Sequence, residues 1–138
     1  MKTKTVKTRL AKAEKFVDIW RTRLHIDPKW ELTVVYDSER PKDSPQSLCI
    51  FDDSSAQYWQ VTLRLLPELM ELPREEFDAV LDRTILHELL HLITWQYSSC
   101  ALNLAGKRAE NELVKLEEQL VQALEDLLND VKWPRVKK

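Results

Sequence analysis

Apolar residues recur at Val6, Leu10, Ala13, Val17, Trp20 and Leu24, in steps of three and four. Such a run draws one stripe along an amphipathic helix over about residues 4–24, with a solvated face rich in Lys and Arg. Pro28 marks the end of the connection that follows. The period then changes. "WELTVVYD" concentrates β-branched and aromatic residues and reads as a strand, and "LCIF" as a short second one. "QYWQVTLRL" alternates strictly, with Trp59, Val61, Leu63 and Leu65 on one face and Tyr58, Gln60, Thr62 and Arg64 on the other. That alternation predicts a half-buried third strand. "SERPKDSPQS", polar and with two prolines, predicts a loop, and "DDSS" a turn. The three strands are expected to form a small sheet.

"PELMELP" reads as a connecting turn. Pro73 suits the first turn of a helix, where its missing N–H is not needed, and Glu75 and Glu76 suit the positive end of the helix dipole. This second helix is expected to run to about Trp95. It is apolar nearly all round near His87, so it should be central and buried. "SSCALNLAG" breaks the pattern, and a third helix is expected over about 107–131, ending before Pro134. The fold class is α+β, in one domain spanning 1–138, with 1–4 and 133–138 as flexible tails.

Composition narrows the function. A hydrophobic fraction of 43% is ordinary for a globular chain, and a formal net charge of -2 gives no general attraction to nucleic acid or anionic membrane. The basic N-terminus has no apolar run behind it, so no signal peptide is expected. No stretch approaches the roughly 20 apolar residues that span a bilayer. Cys49 and Cys100 form no CxxC and are too few for a disulfide scaffold, which predicts small buried hydrophobes in a reducing cytoplasm. The single glycine, Gly106, excludes glycine-rich phosphate loops. Function must come from side chains.

"TILHELLHLI" carries that chemistry. His87 and His91 are four residues apart, so both imidazoles face one way, about a turn apart. Together they can reach one zinc ion, which takes nitrogen ligands at about 2.0–2.1 Å. Glu88 is rotated about 100° from His87 and so suits a base acting on a metal-held water rather than a ligand. A buried apolar helix should not carry two imidazoles and a carboxylate unless something satisfies them.

A third ligand is expected from "NELVKLEEQLVQALEDLL". Its apolar stripe reads Leu113, Leu116, Leu120, Leu124, Leu127 and Val131, and Glu117 falls inside it. Glu118 turns about 100° away, toward Asn111, Gln122 and Glu125. Glu117 is therefore the first choice as ligand and Glu118 the second. Glu110, two turns before Glu117, is a candidate to hydrogen-bond a ligand histidine from behind. The longer HExxHxxGxxH pattern is absent, because positions 94 and 97 are Thr and Tyr.

His87, Glu88 and His91, with the downstream Glu117, resemble the gluzincin zinc metallopeptidases. More narrowly, "ILHELLHLI" followed by "EEQLVQAL" looks like the small metallopeptidases encoded by phages and prophages. The resemblance covers about residues 30–131 as an order of elements. It implies a minimal zincin-like fold, one zinc ion per chain with an open fourth position, and an edge strand beside the cleft, a place taken here by "QYWQVTLRL". It also implies a peptide or protein substrate that adds to that strand. Larger gluzincins carry an acid four residues after the glutamate ligand, where this chain has Val121. They also use a second subdomain to bring a His or Tyr to the transition state. Tyr97, Tyr58 and His25 are the candidates for that role here.

The expected activity is peptide hydrolysis, with Glu88 as general base. The alternatives are a metallopeptidase-like zinc protein that binds peptide as a regulatory module, and a metal-free helical interaction protein.

Overall fold

A computed structural model describes residues 2–39, 48–106 and 110–133. Most of the loop expected at 38–47, most of the tail at 133–138, the first three residues of the expected third helix and the Cys100 side chain lie outside the described residues. The elements in chain order are α1 (Thr3–Arg23), β1 (Glu31–Tyr36), β2 (Cys49–Asp52), a 3-10 turn (Ala56–Tyr58), β3 (Gln60–Leu65), α2 (Pro67–Met70), α3 (Arg74–Ala105) and α4 (Glu110–Asn129). This is an α+β arrangement of four helices and one small mixed sheet. Among the described residues no helix is long and apolar enough to cross a membrane. The chain divides into two compact units, Met1–Glu88 and Leu89–Lys138. α3 is continuous through the division.

In the first unit the α1 stripe buries Ala13, Val17 and Trp20. Polar contacts fix its seating. The Trp20 indole N–H donates to Asp82 Oδ1 on α3 at 2.6 Å. Arg9 lies over the Phe77 ring at 4.2 Å and donates from Nη1 to the carbonyl oxygens of Met70 and Leu72 at 2.6 and 2.7 Å. Those carbonyls lie at and just beyond the end of α2, where helix geometry leaves acceptors without partners of their own. Beyond the end of α1 at Arg23, His25 takes a left-handed φ of 52°, and the Ile26 N–H turns back to the Arg21 carbonyl at 3.1 Å.

The sheet order is β1-β3-β2, with β1 parallel and β2 antiparallel to β3. β3 buries Val61, Leu63 and Leu65 almost completely, as the alternation predicts. It is the central strand, however, and not the edge. Alternation reports that one face is buried and says nothing about which strands flank it. Here the short β2–β3 connection closes an antiparallel pair, and the longer β1–β2 connection carries β1 to the other side. The edge beside β3 that runs antiparallel is β2. β3 also starts later than the pattern suggested: Trp59 precedes it with a left-handed φ of 62°, its ring centroid 5.0 Å from that of Trp30. Arg64 of β3 bonds Asp52 of β2 at 3.0–3.1 Å. Hydrogen bonds from Ser54, then this guanidinium, hold the Asp52 carboxyl below its ordinary range.

α3 extends to Ala105, ten residues past the expected end at Trp95. Ser and Asn lower helix propensity by only tenths of a kcal/mol each, whereas Ala and Leu favour it. The stop is Gly106, at φ 74°. Phe77, Leu81, Ile85, Leu86, Leu89, Leu90 and Leu92 are all essentially inaccessible, as a central helix requires.

In the second unit α4 is rotated relative to the predicted stripe. Leu116, Leu120, Leu127 and Val131 are exposed, and the covered positions are Leu113, Glu117, Val121, Leu124, Glu125 and Leu128. Leu and Val occupy about half the circumference of this helix. The apolar arc alone therefore left its rotation open, and the chosen half is the one that carries Glu117.

Replacing Trp20 by Phe removes the donor to Asp82. The free energy of unfolding in urea should fall by about 1.5–3 kcal/mol, the range for a hydrogen bond to a charged group. A change below about 0.5 kcal/mol would show that this bond contributes nothing net.

Candidate metal centre

α3 presents His87 and His91 one turn apart because the helix runs unbroken through both. Ile85, Leu86, Leu89, Leu90 and Leu92 around the motif are buried, which holds the helix while both imidazoles stay partly accessible. Glu88, the next residue after His87, is only 8% exposed.

α4 contributes two consecutive carboxylates, which meet opposite nitrogens of one ring. Glu117 Oε1 is 3.1 Å from His91 Nδ1, and Glu118 Oε1 is 2.9 Å from His91 Nε2. The Thr94 hydroxyl donates to Glu117 Oε1 at 2.8 Å. His91, Glu117 and Thr94 are all largely covered, whereas the Glu118 side chain is 53% exposed.

His87, His91 and Glu118 each offer one ligand atom, and these atoms lie within 4.8 Å of one another. This His-His-Glu group can hold a metal ion. The fit is chemical as well as spatial. Two imidazole nitrogens and one carboxylate oxygen make a usual donor set for a divalent transition metal.

The glutamate gathered into this group is Glu118, the second choice from helix geometry. Glu117, the first choice, meets the far nitrogen of His91. Glu110 is exposed, and so is Tyr97, at 78%. Neither belongs to the group. His25 is exposed at the end of α1, and Tyr58 is 69% exposed in the 3-10 turn.

Thr94 and Glu125 are not among the residues expected at the site, and Cys49 is expected to be buried but not to lie near Glu88. Thr94 is buried and holds Glu117. Its spacing was a usable signal, since it is three residues after His91 and seven after His87, on the same helical face. Glu125 is also buried, two turns after Glu117 on the covered face of α4. Cys49 comes from β2 and carries a free thiol that is 7% exposed. Burial pushes this thiol well above its ordinary range, and the negative charge of Glu88 adds to the effect. Nothing in the sequence joins positions 49 and 88; only the pairing of β2 as the edge strand brings them close.

Because the folded chain keeps the Cys49 proton more tightly than the unfolded chain, its contribution to stability is complete below the ordinary thiol pKa of about 8.5. It is lost as pH rises from there toward the raised value. Unfolding free energies measured in urea should decline above about pH 8.5, and Cys49→Ala should decline less steeply, by up to about 1.4 kcal/mol per pH unit. Equal slopes in the two proteins would remove this group as a contributor.

No protein-family model, curated protein or solved structure matches the chain.

Proposed function

We propose that the protein is a zinc-dependent metallopeptidase. The observation that carries this reading is the gathering of His87, His91 and Glu118 with the buried Glu88 immediately beside the first ligand. Two histidines and one carboxylate are the ligand set of catalytic zinc sites that keep a fourth position open.

His87, His91 and Glu118 would hold the zinc, which would supply Lewis-acid chemistry, lowering the pKa of a bound water toward about 7 and polarising a carbonyl oxygen. Glu88 is placed to take a proton from the attacking water. As the C–O bond forms and the C–N bond breaks, Glu88 returns that proton to the departing amine nitrogen, so the base is regenerated each cycle. His87 and His91 are fixed by the helix backbone, and both remain accessible enough to serve a substrate. The substrate expected is an extended peptide, seated by main-chain hydrogen bonds along an edge strand. β2 is the edge that suits this, because Cys49 on β2 feels the charge of Glu88. It replaces β3 in that role.

The test pairs metal content with cleavage. Elemental mass spectrometry on chain purified without chelator should find about one zinc per chain, and His87→Ala and His91→Ala should lose it. Glu88→Gln should retain zinc and lose peptide hydrolysis by at least about 100-fold, the lower range of a general base's contribution. Zinc bound without any hydrolysis of a peptide library would instead make the chain a peptide-binding module. No zinc, even after addition, would end the metallopeptidase reading.

A further inference from the structure

We infer that Glu117 is a positioning residue, which, held by Thr94, fixes the tautomer of His91 so that its Nε2 lone pair faces the metal. This rests on the metal centre proposed above and assigns different work to two adjacent glutamates.

A neutral imidazole has one N–H and one lone pair. His91 has a carboxylate against each nitrogen, Glu117 at Nδ1 and Glu118 at Nε2. Only one of them can accept the ring's single proton. Two features favour Glu117. Its Oε1 is anchored by the Thr94 hydroxyl, which lies 2.8 Å from that carboxylate and 3.2 Å from the alternative acceptor, the His91 carbonyl. Its side chain is 22% exposed against 53% for Glu118, so less competing water reaches it. A fixed, poorly hydrated acceptor draws the N–H to Nδ1. Nε2 then keeps its lone pair on the side where His87 and Glu118 offer their own donor atoms. A carboxylate behind a ligand histidine both orients the ring and raises its basicity.

Helix geometry explains how neighbours in sequence perform both tasks. Residues i and i+1 are about 100° apart around α4. The two side chains can thus straddle one ring, the more buried one behind it and the more exposed one in front. Thr94 lies three residues after His91 on α3, on the same face as the ring, and so reaches the same carboxylate.

Two readouts on the full chain test this. The first uses ring-nitrogen NMR of uniformly 15N-labelled, metal-free protein at a pH where the imidazole is neutral. His91 should carry its proton on Nδ1 in the native chain and on Nε2 in Glu117→Ala, where only Glu118 remains as acceptor. Glu117→Gln, whose amide oxygen still accepts, should restore the Nδ1 form. The second is zinc affinity by competition with a chelating dye. Glu117→Ala should weaken binding by about 10–100-fold, the range for outer hydrogen-bond partners. Glu117→Gln and Thr94→Val should weaken it less, and Glu118→Ala should weaken it most. An unchanged tautomer in Glu117→Ala would overturn the inference. So would a larger loss of zinc from Glu117→Ala than from Glu118→Ala, which would make Glu117 the ligand. The NMR arm needs no metal, so failure of the native chain to bind zinc would sink the metal reading while the tautomer result still decides the role of Glu117.

Discussion

The polar contacts of the second unit centre on one imidazole held between two carboxylates; when that ring is neutral it has a single proton to share between them. Glu117 and Glu118 both lie within about 3 Å of His91, one at each nitrogen. One carboxylate can accept the N–H. The other then faces a lone pair, a repulsive arrangement unless a cation or a second proton lies between them. The same requirement sets the rotation of α4. For both glutamates to straddle the ring, the helix must turn Val121 and Glu125 inward, and Leu116, Leu120 and Leu127 are left exposed. Maximal apolar burial would have chosen another rotation. The exposed leucines forgo roughly 25 cal/mol for each Å² they fail to bury.

The first unit solves a related problem with geometry alone. Glu88 is buried on a helix whose neighbours are leucines, and the thiol of Cys49 on β2 is close enough to feel its charge. Cys49 places a small neutral group there rather than a cation. The sheet order makes this possible. With β3 in the centre, β2 becomes the antiparallel edge, and its first residue is Cys49. A lysine at 49 would instead bring a cation toward Glu88 and would compete with the base role proposed for it.

How far the sequence could be read follows from which forces are local. The α1 stripe, the alternation of Val61, Leu63 and Leu65, and the buried character of α3 are periodic signals within one element, and each was legible. The ligand pair was legible because an i, i+4 spacing on a helix fixes direction without any tertiary information. Strand order was not, since alternation in β3 is the same for a central and an edge strand. Nor was the end of α3: "SSCALNLAG" weakens helix propensity without forbidding it, and only Gly106 takes a left-handed turn. The rotation of α4 was ambiguous because Leu and Val cover half its surface. This is why helix geometry favoured Glu117 as ligand while the structure gathers Glu118. The choice between adjacent glutamates depends on a ring contributed by another helix.

These contacts also divide the centre into a rigid and an adaptable part. His87 and His91 are set by the α3 backbone, and the His91 ring is further held by a carboxylate that is itself tied to Thr94. Glu118 has three rotatable bonds and is half exposed, so it is the one donor that loses substantial freedom when a metal is captured. A site with two donors fixed in advance and one recruited from solvent keeps most of its preorganisation in the imidazoles. Affinity in such a site depends on how well the histidine pair is held before the metal arrives as well as on the third bond. On that argument, the Glu117–Thr94 hydrogen bond would aid metal capture without touching the metal, by holding the His91 ring before the ion arrives.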